Sequence, residues 1–190
     1  MSYDPKIHHR RSIRLKGYDY SLAGLYFITI CCQDMKCRFG NIENDEMVLN
    51  EFGSVAQNEW IKLTARFPNF ELDVFQIMPN HMHGIISLND FAVGAGFTPA
   101  QNNVGAGFTP AHGTRAGVNP APTIGDIVGS YKSLVANECL KIYKSNNEIM
   151  GKLWQRDYYE HIIRNETSYK RISEYIINNP QQWDADKFHP

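Results

Sequence analysis

The 190-residue chain has no apolar run of about 18 residues, which excludes the usual membrane-spanning helix. Its start, Met1-Ser2-Tyr3-Asp4-Pro5-Lys6, lacks the apolar stretch of a secretory signal. There are four cysteines, Cys31, Cys32, Cys37 and Cys139, and no C-x-x-C pair. Neighbours on a strand point to opposite faces, so Cys31 and Cys32 cannot chelate together. Reduced thiols in a cytoplasmic protein are expected, rather than a disulfide or zinc framework. Nor is there an excess of positive charge. The net charge is −1, so the chain as a whole carries no global signature of a nucleic-acid binder.

What is there suits a globular fold. Hydrophobic residues make up 43% and charged residues 21%, and a single domain spanning 1–190 can bury a core without staples. The charge is unevenly placed. Residues 1–38 carry seven basic residues against three acids, whereas residues 39–90 carry eight acids against two bases. Arg10, Arg11 and Arg14 sit in that basic arm, which can hold phosphates or simply be solvated.

Leu25 to Cys32 is β-branched and aromatic and reads as a buried strand. Phe39 to Leu49 reads as a hairpin with Asn44-Asp45 at its tip. Phe52, Val55, Ala56, Trp60 and Leu63 have helical spacing over 51–64. Glu71 to Met78 alternates with period two, Pro79-Asn80 signals a turn, and His81 to Leu88 reads as the antiparallel partner strand. Thr123 is a candidate cap for a long amphipathic helix reaching about Lys144. Asn165 caps a last helix, roughly 166–178, that ends before Pro180. Strand, hairpin, helix, two strands and two helices predict an α+β fold, with helices on one face of an antiparallel sheet.

One segment differs in kind. Ala95-Gly-Phe-Thr-Pro-Ala100 recurs as Ala106-Gly-Phe-Thr-Pro-Ala111, and loosely as Ala116-Gly-Val-Asn-Pro-Ala121. Gly and Pro at this density sustain neither helix nor central strand. A flexible insertion over about 91–122 is expected, with either a loop or a binding role.

The chemistry gathers at His81-Met82-His83. Two histidines two apart on a strand project from one face, and Met82 from the other. Together they can share an ion at roughly 2.0–2.3 Å, though an H-x-H alone is often incidental. Gly84 follows, where backbone can approach a ligand closely. Tyr175 and Asn179 are four apart on one helical face. The Asn179 amide oxygen can complete a set of two nitrogens and one oxygen. Such a site suits Mg²⁺ or Mn²⁺ chemistry on a phosphodiester. Tyr175 is then the candidate nucleophile, in competition with Tyr158, Tyr159, Tyr169 and a plain core role. His161 can support the site or be structural. Lys132, Arg156 and Arg164 can contact phosphates or be solvated. Trp154, Tyr158 and Tyr159 can stack on unpaired bases or pack in the core.

Three stretches resemble a known family. Met78-Pro-Asn-His-Met-His-Gly-Ile-Ile86 resembles the metal-binding signature of the HUH single-tyrosine transposases. Trp154-Gln-Arg-Asp-Tyr-Tyr-Glu-His-Ile-Ile-Arg-Asn165 and Glu174-Tyr-Ile-Ile-Asn-Asn-Pro180 resemble the C-terminal motifs of their REP-associated branch. The opening from Arg10 to Tyr20, followed by Tyr26 to Ile30, is similar too. The likeness spans nearly the whole chain outside the insertion. It implies a ferredoxin-like fold with the histidine pair on a central strand. It implies a divalent metal on His81 and His83, and a nucleophilic tyrosine mapping to Tyr175. It also implies a substrate of hairpin-containing single-stranded DNA, and it leaves a homodimer open. The family often places Gln four residues after the tyrosine, where this chain has the shorter Asn179.

Three functions compete on these residues. The first is DNA strand cleavage and rejoining through a covalent 5′-phosphotyrosine. The second is a non-catalytic nucleic-acid-binding protein on the same fold. The third is a zinc hydrolase using the histidine pair.

Overall fold

A computed structural model describes residues 17–89 and 122–190. The repeat insertion and the arm holding Arg10, Arg11 and Arg14 therefore lie outside the described residues. Strand β1 is Gly24–Cys31. A hairpin of β2 (Gly40–Glu43) and β3 (Glu46–Leu49) leads into helices α1 (Glu51–Ile61) and α2 (Leu63–Arg66). Strands β4 (Phe70–Ile77) and β5 (His81–Leu88) follow, then α3 (Ile124–Ser145), β6 (Tyr159–Ile163) and α4 (Glu166–Asn178). A 3-10 turn, Pro180–Ala185, closes the chain onto the sheet. No helix among the described residues is long and apolar enough to cross a membrane.

Local chemistry accounts for the boundaries. Asn44 and Asp45 both adopt positive φ, 49° and 64°. That is the double left-handed turn that joins two antiparallel strands at their natural twist. Asn50 caps α1 by accepting from the Gly53 amide at 2.9 Å. Thr123 and Asp126 form a reciprocal capping box at the start of α3. Asn165 caps α4 by accepting from the Ser168 amide at 2.8 Å.

The four-stranded sheet runs β4-β5-β1-β6, with every neighbouring pair antiparallel. This is the ferredoxin-like order, an α+β architecture, and β5 with its histidines lies inside the sheet. The crossover helices α1 and α3 cover one face. There Trp60 meets Tyr131 edge-on at 5.1 Å and Phe70 at 5.8 Å, among buried Tyr26, Ile28, Ile30, Met82 and Ile86.

The structure corrects three expectations. Helices do not stay on one face. The sequence-based reading missed β6, so it missed that α4 starts from an edge strand and folds under the sheet. There α4 packs Ile172 and Ile176 on Ile85 and Ile163. The period-two reading of β4 is also interrupted. Leu72 faces Ile86 and Phe75 faces Gly84, so one extra residue bulges between them. That bulge puts Phe70, Phe75 and Ile77 on a common face toward Trp60. Gly84, finally, serves packing. A Cβ there would point at Trp60, 3.0 Å from its Cζ2, and would meet the Met82 methyl at 3.3 Å. It makes room for the indole on the face opposite the histidines.

Candidate metal centre and nucleophile

Strand alternation puts His81 and His83 on the face that α4 covers, and both are buried. Their Nε2 atoms lie 3.0 Å apart. Two nitrogens with that bite can each reach an ion at about 2.1 Å, at nearly a right angle. The outer ring nitrogens are held. His81 Nδ1 lies 2.8 Å from Asn80 Oδ1. The Asn80 amide donates to the carbonyls of Met35 and Phe188, which fixes its orientation. An amide oxygen only accepts, so His81 carries its hydrogen on Nδ1 and its Nε2 is bare. His83 Nε2 then donates to His81, and His83 Nδ1 accepts from Thr29 Oγ1 at 2.8 Å. To share a cation, His83 would carry its hydrogen on Nδ1, 2.8 Å from the Thr29 hydroxyl, which could turn to accept it.

Helix α4 brings the other two candidates to the same place. Tyr175 Oη lies 3.1 Å from His83 Nε2. Asn179, the C-cap of α4, is buried beside His81. Its Nδ2 donates to Asp186 Oδ2 at 2.7 Å, whereas its Oδ1 is buried without a hydrogen bond. A buried carbonyl oxygen left open next to two bare or convertible imidazole nitrogens is the donor set a small divalent ion takes. The residues present therefore fit such an ion, even with the shorter amide.

Asp186 is a component that sequence reasoning missed. Its carboxylate lies 3.4 Å from Tyr175 Oη. His81, His83 and Asp186 offer ligand atoms all within 4.8 Å of one another. The tail carrying it is pinned by buried Trp183 and by Phe188, whose ring lies 4.6 Å from that of His81. Its signal was weak, a lone acid past the last helix with no periodicity. Only its placement eleven residues after Tyr175, beyond a proline turn, hinted at a return to the site.

Electrostatics follow from burial. Desolvation pushes His81 down to about 4, partly opposed by the Asp186 carboxylate, and pushes His83 well below the usual range. Both rings are neutral at ordinary pH, the form that ligates metal. Burial, with Asp186 adding repulsion, pushes the Tyr175 phenol up to about 12. The phenolate therefore needs a cation beside it.

The remaining candidates fall elsewhere. His161 is exposed on β6, in register with Phe27. Lys132 donates to the carbonyls of Gln155 and Arg156 at 2.7 and 2.9 Å, so its ammonium secures that loop. Arg156 and Arg164 are exposed. Trp154 and Tyr158 pack with the core, and Trp154 Nε1 donates to the Lys132 carbonyl. Tyr169 donates to Asp73 on β4 at 3.0 Å, which ties α4 to the sheet. Of the tyrosines weighed, Tyr175 is the one hydrogen-bonded to the histidine pair.

No family model matches the chain. It is 45% identical over 187 residues to an uncharacterized Haemophilus influenzae protein, covering 98% of this chain and 97% of that one. It is 25% identical over 181 residues to a second protein of that organism, provisionally named a REP-associated tyrosine transposase. That match covers 90% of this chain and 83% of the other. Its fold is shared with a solved REP-associated tyrosine transposase bound to a REP hairpin. The TM-score is 0.55 at 18% identity, over 92% of this chain and 77% of that one.

Proposed function

We propose that this chain, which is 25% identical to a protein provisionally named a REP-associated tyrosine transposase and shares the fold of a solved one, cleaves and rejoins hairpin-containing single-stranded DNA through a 5′-phosphotyrosine. The observation that carries this reading is the 3.1 Å approach of the Tyr175 hydroxyl to His83, itself 3.0 Å from His81. The candidate nucleophile and a candidate metal ligand thereby meet across 92 positions of sequence.

His81, His83 and the Asn179 carbonyl would hold Mg²⁺ or Mn²⁺, with Asp186 near enough to add a carboxylate. Bound there, the ion would polarise the scissile phosphate and favour the phenolate. Tyr175 Oη loses its proton, for which the Asp186 carboxylate is the nearest acidic-group acceptor, and attacks phosphorus. The P–O3′ bond breaks as the Tyr–O–P bond forms. The 3′ oxygen leaves as a protonated hydroxyl. Attack by another 3′-OH on the phosphotyrosine reverses these changes and rejoins a strand. Asn80 and Thr29 keep the imidazoles oriented throughout. Exposed Arg156 and Arg164, together with Arg10, Arg11 and Arg14 of the basic arm, are proposed to hold the DNA backbone.

The test is a denaturing gel of labelled hairpin oligonucleotides incubated with Mn²⁺ or Mg²⁺. A covalent protein–DNA adduct is expected from the wild type and none from Tyr175→Phe. An adduct that persists in Tyr175→Phe would sink the nucleophile assignment. Hairpin binding indifferent to chelator and to His81→Ala, with no adduct, would favour the non-catalytic binding protein instead.

A further inference from the structure

Among the described residues, the face that carries the histidines is closed at Ile163, which packs under α4, and open at Tyr159 and His161. Helix α4 lies over β4 and β5, anchored by the Tyr169–Asp73 and Tyr175–His83 hydrogen bonds. On the β1–β6 half the register aligns His83, Thr29 and Tyr159 across three strands, and Ile85, Phe27 and His161 beside them. These β6 side chains share the histidines' face, because Tyr159, His161 and Ile163 alternate with Glu160 and Ile162.

Phe27 stands at the centre of this half. Its ring lies 5.4 Å from His83, 6.3 Å from Tyr175 and 6.0 Å from Tyr159. The contacts with Tyr175 and Tyr159 are edge-on, at 84° and 67°. Tyr159 itself is 44% exposed, on an edge strand. Its neighbour Tyr158 turns into the core on the opposite face. The exposed Tyr159 ring is continuous, through Phe27, with the surroundings of Tyr175. The group next to a phosphate held at Tyr175 can reach Phe27, whose ring lies 6.3 Å from that of Tyr175, and through it Tyr159, 6.0 Å further on. In single-stranded DNA that next group is an unpaired base, whose flat apolar face suits exposed aromatics.

We propose that Tyr159, backed by Phe27 and flanked by His161, forms a stacking shelf for the unpaired nucleobase adjoining the phosphate that Tyr175 attacks. The proposal rests on the nucleophile reading of Tyr175. Stacking is tolerant of base identity, so the shelf would position the strand rather than select its sequence.

The experiment uses the full chain carrying Tyr175→Phe, so that binding is read without cleavage. A hairpin oligonucleotide with a single-stranded flank carries 2-aminopurine at each flank position in turn. One position should be quenched on binding. That quench should vanish when Tyr159→Ala is added and persist with Tyr159→Phe or Tyr159→Trp, which keep a ring. Affinity for the flanked hairpin should fall on the order of tenfold in Tyr159→Ala, while affinity for a blunt hairpin is unchanged. Absence of quenching at every position, or quenching and affinity indifferent to Tyr159→Ala, would overturn the shelf. Adduct formation by the wild type, measured in parallel, reads the nucleophile separately. An adduct without Tyr159-dependent quenching removes the shelf alone. Tyr159-dependent quenching without any adduct supports the shelf and removes the cleavage reading.

Discussion

The two faces of the sheet share four strands and differ in what they bury. The face under α1 and α3 is mainly apolar packing, with Trp60, Tyr131 and Trp154 interlocked and Tyr131 Oη donating to the Ala56 carbonyl, and its few buried polar atoms, Glu59 Oε2 and Trp60 Nε1 among them, are scattered rather than gathered at one point. The face under α4 has a small apolar cluster and, beside it, two buried histidines, an amide oxygen without a hydrogen bond and a carboxylate. Burying polar groups costs stability unless each is satisfied. The first face therefore holds the fold, and the second spends part of that stability on a preorganised site.

The sharpest way to break this comparison is to cut the first face. Trp60→Ala should destabilise the protein by about 3–5 kcal/mol, as large-to-small changes of buried aromatics do. Urea unfolding with an unchanged m-value would read it. His81→Gln, on the second face, should lose Mn²⁺ binding in calorimetry with far smaller loss of metal-free stability. Comparable destabilisation by both would mean that the faces are not divided in this way.

The next effect is pH dependence, which should originate on the second face. His81 titrates near 4 in the folded chain against an ordinary 6.5. Between those values the unfolded chain takes up a proton that the folded one refuses. Stability is therefore full above about pH 6.5, falls as pH drops through this window, and levels below the folded value. Burial holds His81 and His83 neutral together, so both act in this direction as a coupled pair. Melting temperatures across pH 4–7 in chelator should slope accordingly, and His81→Gln should flatten them. A slope unchanged by that substitution would place the titrating groups elsewhere.

A smaller effect tests the boundary between the faces. Gly84 lies on the histidine strand but opens toward Trp60. Gly84→Ala should cost about 1–3 kcal/mol by overpacking, with Mn²⁺ affinity nearly unchanged. If metal affinity fell more than stability, the glycine would belong to the site after all.

Legibility in the sequence divided along the same line. The apolar face was readable because its signals are local. β-Branched runs gave β1 and β5, helical spacing gave α1 and α3, and Asn44-Asp45 gave the hairpin tip. Alternation put the two histidines on one face and helical spacing put Tyr175 with Asn179, whereas their joint reading as a metal site with a nucleophile leaned on the family resemblance. Two parts were not. β6 is five residues long, too short for a period to declare itself, and it exists because it pairs with β1. Asp186 reaches the site only through the turn at Pro180 and the burial of Trp183, neither of which a pattern at fixed spacing records. The bulge in β4 was hidden for the same reason. An alternating sequence does not say where an extra residue will be absorbed.

The smallest effect compares helix caps on the two faces. Thr123 caps α3, where its hydroxyl accepts from the Asp126 amide at 3.3 Å and Asp126 returns the bond to the Thr123 amide at 2.8 Å. Asn165 caps α4 with a single bond to Ser168. Replacing either by Ala should cost about 1 kcal/mol globally. The local consequences should differ. Helix α3 is clamped along its length by the main core, so fraying of its first turn stays at that turn. Helix α4 rests on a smaller cluster and carries Tyr175, so loosening its start should raise hydrogen exchange further along the helix. Asn165→Ala should therefore slow adduct formation at saturating DNA, and Thr123→Ala should not. Equal exchange profiles in the two variants would mean that α4 is held by the Tyr169–Asp73 and Tyr175–His83 bonds alone, with the cap irrelevant to the nucleophile's position.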